Sequence, residues 1–178
     1  MVFAHGSGSS RHSPRNQFVA RVICESGNGA LLFDLLTAEE IQDNVTQRLR
    51  FDIGLLASRL AEVTRWLVAQ PEARDLGIGY FGSSTGGGAA LVAAVEIGQR
   101  IDAVVSRGGR PDLAGDALPR VQSPELLIVG GYDEAVIRLN KESLAKLRCE
   151  KELKIVPCAT HLFEETGALE AVARPESN

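Results

Sequence analysis

The chain has 178 residues, 44% of them hydrophobic and 24% charged, which are the proportions of one ordinary domain with a sizeable core rather than of a disordered chain. A formal net charge of -4 disfavours nucleic acid or an anionic membrane as a bulk electrostatic partner. No apolar run is long enough to span a bilayer, and the opening MVFAHGSG lacks the basic-then-apolar order of a secretory signal.

Strand-like and helix-like segments alternate from the first residue. Met1–Ala4 is a short apolar run, followed by the glycine-containing loop HGSGSS. Pro14–Glu25 reads as a helix carrying Phe18, Val19, Val22 and Ile23. ALLFD (30–34) is the second strand. Asn44-Val45-Thr46 fits a glycosylation acceptor, a chance match in a chain without a signal. Phe51–Ala69 is amphipathic, with Leu55, Leu56, Leu60, Val63 and Leu67 on one side and Pro71 as a stop. Strands at 76–82 and 101–106 flank an Ala- and Gly-rich helix, Thr85–Ile97. Strands at 125–130 and 152–157 flank the helix Glu134–Leu147, and Phe163–Val172 is the last helix.

The strands show little in–out alternation, as expected where both faces are buried. The rhythm predicts a doubly wound, mostly parallel sheet of about six strands in a three-layer α/β/α sandwich. Sites in such sheets lie in loops at the carboxyl ends of the strands. Those loops hold Gly6–Ser10, Asp34, Ser84, Arg107, Asp133 and His161.

Gly82-Ser83-Ser84-Thr85-Gly86 matches G-x-S-x-G between a strand and a helix. Such an elbow needs small residues two before and two after its nucleophile. Ser84 has Gly82 and Gly86 there, whereas Ser83 would have Phe81 and Thr85, so the register selects Ser84. The bland alternative is a glycine turn with incidental serines.

A serine hydroxyl needs a base oriented by a third group. The chain has three histidines. His161, after the last strand, is the candidate base. His12 reads as a solvated loop residue and His5 as a structural hydrogen-bonding one. Asp133, just past the fifth strand, is the candidate orienting acid, with a helix N-cap as the competing reading. Glu134, Asp112 and Asp116 are weaker alternatives. The amides of Thr85 and Ser7, with Gly8 as the neighbouring option, are candidate oxyanion donors. Arg107 and Arg110 stand where they can bind a substrate carboxylate, or pair with Asp112 or Asp116 and shape the loop.

Two rival readings concern other chemistry. Gly77, Gly79 and Gly82 match G-x-G-x-x-G, with Asp102 twenty residues on. A dinucleotide fingerprint, however, needs its glycines after the strand. Cys24, Cys149 and Cys158 form no CxxC pair and suit reduced thiols in the cytoplasm. Cys158 and His161 stand three apart, but no second ligand pair at finger-like spacing accompanies them, so no metal or other cofactor is expected.

The segments FAHGSGSSRHSPRN, LLFDLLT, GYFGSSTGGGAAL, VVSRGGRPDLAG, LLIVGGYDE and ATHLFEE run in order through nearly the whole chain. Together they resemble the α/β-hydrolase superfamily, most closely its small dienelactone-hydrolase-like members. The resemblance implies a Ser84–Asp133–His161 triad and hydrolysis of a small ester or lactone through an acyl-enzyme. It also implies departures. The family has two further strands ahead of the FAHG strand, so the single domain reads as a form shortened at both ends, as a fragment, or as a chain whose start is wrongly placed. Absent edge elements would expose apolar surface and favour a homo-oligomer. Serine stands where dienelactone hydrolases use cysteine. The segment 107–123 is too short for a large lid. The other function classes kept open are a non-catalytic or regulatory binding module and a thioesterase or acyltransferase on the same scaffold.

Overall fold

The computed structural model describes residues 1–42 and 48–174. The glycosylation-like triplet at 44–46 lies outside the described residues. Six parallel strands form one sheet: β1 (Val2–Ala4), β2 (Leu31–Leu32), β3 (Ile78–Ser83), β4 (Ile101–Arg107), β5 (Glu125–Gly130) and β6 (Lys151–Val156). Their spatial order is β2-β1-β3-β4-β5-β6. The order reverses at β1 and β3, and this is where a doubly wound sheet opens a crevice above its carboxyl ends.

The helices are α1 (Pro14–Glu25), α2 (Ala38–Gln42), α3 (Ile53–Val68), α4 (Thr85–Ile97), α5 (Glu134–Lys146) and α6 (Ala168–Ala173). They divide the core into two clusters, one on each face of the sheet. Tyr80, Val104, Leu60 and Leu91 pack with α3 and α4 on one face. Phe3, Phe81, Val19 and Phe163 pack with α1 and α6 on the other, where the Phe3 and Phe81 ring centroids lie 5.0 Å apart. Successive strand residues serve opposite clusters, which is why the strands read as unbroken apolar runs. The Tyr80 hydroxyl is buried but meets Thr64 Oγ1 at 2.8 Å. Burial pushes its pKa up to about 12.

Three boundaries differ from the sequence expectation. β2 is two residues long rather than five, and the Asp34 carboxylate accepts from the Arg11 amide at 2.7 Å. The last helix begins at Ala168, not Phe163, because Phe163 and Gly167 both have positive φ and break the turn. Residues 111–120 form a kinked 3₁₀ segment where no helix was expected.

Candidate active site

The turn between β3 and α4 is built by close approach of backbone. A Cβ on Gly82 would lie 2.6 Å from Gly86 O, and one on Gly86 would collide with Ala4 O. No side chain fits at either position, so the glycine spacing is a steric requirement of this turn. Ser84 sits at its apex with φ 50° and ψ -123°. A non-glycine residue held there costs roughly 1–3 kcal/mol. The strain is held by the surroundings: the Ser84 carbonyl accepts from the amides of Gly87 at 3.0 Å and Arg110 at 2.9 Å.

Ser83 is different. It is buried, and its hydroxyl donates to Asn16 Oδ1 of α1 at 3.2 Å. That bond ties the first turn of α1 to the elbow.

Asp133 lies just past β5, and its two carboxylate oxygens have separate tasks. Oδ1 accepts from the Val136 amide at 3.4 Å and caps α5. Oδ2 lies 2.6 Å from His161 Nδ1. The N-cap and the imidazole contact therefore coexist. Asp112 is engaged by Arg110 and Asp116 is exposed, so neither alternative acid is paired with His161. His161 and Ser84 line one cavity of about 230 Å³ without a direct hydrogen bond between them. Catalytic hydrogen bonds are often long or poorly aligned before a substrate is bound.

The loop after β1 closes as a turn, with the Ser9 amide donating to Gly6 O at 3.0 Å. Ser7 and Gly8 are its central residues and line the same cavity as Ser84. Thr85 is the first residue of α4, where an amide has no preceding helical carbonyl to bond.

His5 fixes the base of this loop. Its Nε2 accepts from the Leu35 amide at 3.0 Å, which requires the proton on Nδ1, 2.9 Å from Gly6 O. Burial, the largest influence, pulls its pKa below the ordinary value. The folded chain thus resists a proton that the unfolded chain accepts. Stability should fall as pH drops below about 6.5, by at most about 1.4 kcal/mol per unit, until the lowered folded value is passed. Urea unfolding between pH 7.5 and 5 checks this: His5→Gln should flatten the slope, and an unchanged slope would exclude His5 as its source.

The two arginines separate. Arg110 donates to Asp112 through Nε at 2.9 Å and Nη2 at 2.8 Å, the loop-shaping arrangement. Arg107 pairs with neither Asp112 nor Asp116; it is 7% exposed and lies over the Phe163 ring. Sequence reasoning passed over Arg15, Asn16 and Ser13 at the start of α1. The signal was Ser13-Pro14, a cap followed by proline at the first helical position, which sets this helix start beside the strand ends.

The dinucleotide rival fails on geometry. Gly77 precedes β3, Gly79 and Gly82 lie within it, and Asp102 Oδ2 accepts from the Ile78 amide at 2.8 Å.

Residues 15–176 match the model of the dienelactone hydrolase family. The chain belongs to that family. A dienelactone hydrolase from Anabaena variabilis ATCC 29413 is 61% identical with a TM-score of 0.93, over 97% of this chain and 80% of that one. Est1E from Butyrivibrio proteoclasticus has a TM-score of 0.78 at 16% identity, covering 97% of this chain and 84% of its own, a likeness of fold. A protein of Mycobacterium tuberculosis H37Rv named "Putative phosphoribosyl transferase" is 58% identical over 174 residues. The match takes in 98% of this chain but only 39% of that relative's length. Membership supports a hydrolase on an α/β-hydrolase fold. No helix among the described residues is long and apolar enough to cross a membrane.

Proposed function

We propose that this member of the dienelactone hydrolase family is a serine hydrolase acting on a small carboxylic ester or lactone. One observation carries the reading: a strained Ser84 shares its cavity with His161, whose Nδ1 lies 2.6 Å from Asp133. Ser84 Oγ attacks the carbonyl carbon while His161 Nε2 takes its proton. Asp133 holds the proton on Nδ1 and stabilises the imidazolium. The amides of Thr85 and Ser7 donate to the oxyanion, with Gly8 as the neighbouring donor. His161 returns the proton to the leaving oxygen as the tetrahedral intermediate collapses. Water, with His161 again as base, then releases the acyl group from Ser84.

Phosphoribosyl transfer, in the name of the Mycobacterium relative, belongs to a protein of which this chain spans 39%. The arrangement of Ser84, His161 and Asp133 supports the acyl-transfer reading instead. Three free cysteines suit the cytoplasm, the compartment we propose.

A fluorophosphonate probe tests the nucleophile. Wild type and Ser83→Ala should label, and Ser84→Ala should not. Labelling that survives in Ser84→Ala overturns the assignment, and loss only in Ser83→Ala moves it by one residue.

A further inference from the structure

We infer that Asn140, on α5, is a positioning residue for the oxyanion hole. Through the peptide that joins Gly109 to Arg110 it orients and polarises the Ser84–Thr85 peptide, whose N–H meets the developing negative charge. The inference rests on the reading of Ser84 as nucleophile and of the Thr85 amide as oxyanion donor. It adds a residue that lies outside both the triad and the cavity lining.

Asn140 stands midway along α5, the helix that Asp133 caps, and it is fully buried. Asparagine is a weak helix former, and a buried amide oxygen without a partner is costly. Asn140 carries both handicaps, because its Oδ1 is buried and has no hydrogen-bond partner. Its Nδ2, by contrast, is fully used. One hydrogen goes to Val136 O at 2.8 Å, within the helix. The other goes to Gly109 O at 3.0 Å, across to the loop after β4. Both acceptors are carbonyls, so only the Nδ2 end of the amide can face them. The stability of α5 accounts for neither the asparagine nor its orphan oxygen; the bond to Gly109 does.

That bond starts a chain of peptide groups. Gly109 O and Arg110 N belong to one peptide, and Arg110 N donates to Ser84 O at 2.9 Å. Ser84 O and Thr85 N belong to the next peptide. A donor on Gly109 O makes the Arg110 N–H a stronger donor, and that bond in turn strengthens the Thr85 N–H, because buried hydrogen bonds in series polarise one another. Every bond from Asn140 to Thr85 points the same way, so the effects add at the oxyanion. The chain also fixes direction. Ser84 is held at φ 50° and ψ -123°, and the direction of its carbonyl sets where the Thr85 N–H points.

Close packing keeps the two peptides together. A Cβ on Gly87 would lie 3.1 Å from Gly109 Cα, and one on Gly88 would lie 2.8 Å from Arg110 O. A Cβ on Gly109 would collide with Ser106 Oγ. The glycine run after the elbow therefore seats the 109–110 backbone on the first turn of α4, and Asn140 bonds that backbone from α5.

The test is Asn140→Leu, which keeps the branching and removes the donor and the orphan oxygen together. Its kcat for p-nitrophenyl butyrate should fall about ten-fold with KM within about two-fold, a part of the roughly hundred- to thousand-fold that a whole oxyanion donor supplies. The spectroscopic readout is the carbonyl stretch of the acyl-enzyme formed from carbonyl-labelled p-nitrophenyl pivalate, whose hindered acyl group slows hydrolysis. In Asn140→Leu the stretch should move to higher frequency, because a weaker donor polarises the acyl carbonyl less. Asn140→Ala carries the same test if leucine is not accommodated. Ser143→Ala is the control. Ser143 is also buried on α5, but its hydroxyl donates within the helix, to Leu139 O at 2.8 Å. Its kcat and stretch should match wild type. An unmoved stretch, a kcat within about two-fold of wild type, or an equal loss in Ser143→Ala overturns the role of Asn140. Those outcomes leave the nucleophile assignment standing wherever fluorophosphonate still labels Ser84. Wild type unlabelled at Ser84 sinks the serine-hydrolase reading, and the role of Asn140 with it.

Discussion

Ser84→Ala is expected to lower kcat for ester hydrolysis on the order of a million-fold, whereas Ser83→Ala should stay within a few-fold of wild type. The two hydroxyls are adjacent in sequence but differently placed. Ser83 Oγ is buried and bonded to Asn16, so its loss removes one internal hydrogen bond, worth about 1 kcal/mol. Ser84 stands at φ 50°, at the mouth of a helix and in the cavity it shares with His161. Strain there has a second signature. Ser84→Gly should lose activity equally and yet gain about 1 kcal/mol of stability, because glycine adopts positive φ without penalty. Steady-state kinetics on a p-nitrophenyl ester and urea unfolding read the two effects. A Ser84→Gly variant no more stable than wild type would show that the turn stores no strain at this residue.

Asp133→Asn should lower kcat by about 10⁴-fold while leaving stability nearly unchanged. Asparagine caps a helix about as well as aspartate, so the Val136 amide keeps its acceptor. The same side chain cannot hold a proton on His161 Nδ1 as a carboxylate does, and the imidazole is left in the wrong tautomer to act as base. Asp133→Ala should lose activity to the same extent and in addition about 1 kcal/mol of stability, the usual value of an N-cap. The pair of variants separates the two tasks of one carboxylate. Equal unfolding midpoints for Asn and Ala would show that the cap contributes nothing, and an Asp133→Asn enzyme of full activity would remove Asp133 from the mechanism.

Much of the fold was legible because local rules agreed. The bounds expected for α1 and α4 match those observed, since a cap followed by proline opens the first and the elbow glycines open the second. The parallel sheet followed from apolar runs without alternation. The end of the chain was less legible. Phe163 reads in sequence as the start of the last helix, yet tertiary packing turns it into the core under Arg107 at positive φ, and the helix waits until Ala168. The 3₁₀ segment at 111–120 was likewise hidden, because its kink at Gly115 breaks any single helical period.

The sequence by itself determined which of Ser83 and Ser84 stands at the apex of the turn, because the steric demand of a tight turn is local and is written in residues 82 and 86. It also determined which strand ends carry Ser84, Asp133 and His161, because strand polarity follows chain order in a parallel sheet. Tertiary structure alone decided the partners. That Asp133 serves a helix cap and an imidazole at once depends on where residues 28 positions apart meet. That Arg110 meets Asp112 while Arg107 is buried against the Phe163 ring depends on where the packed chain places each. Charge compensation is a property of neighbours in space, and only the packed chain brings α1, β4 and the last loop together.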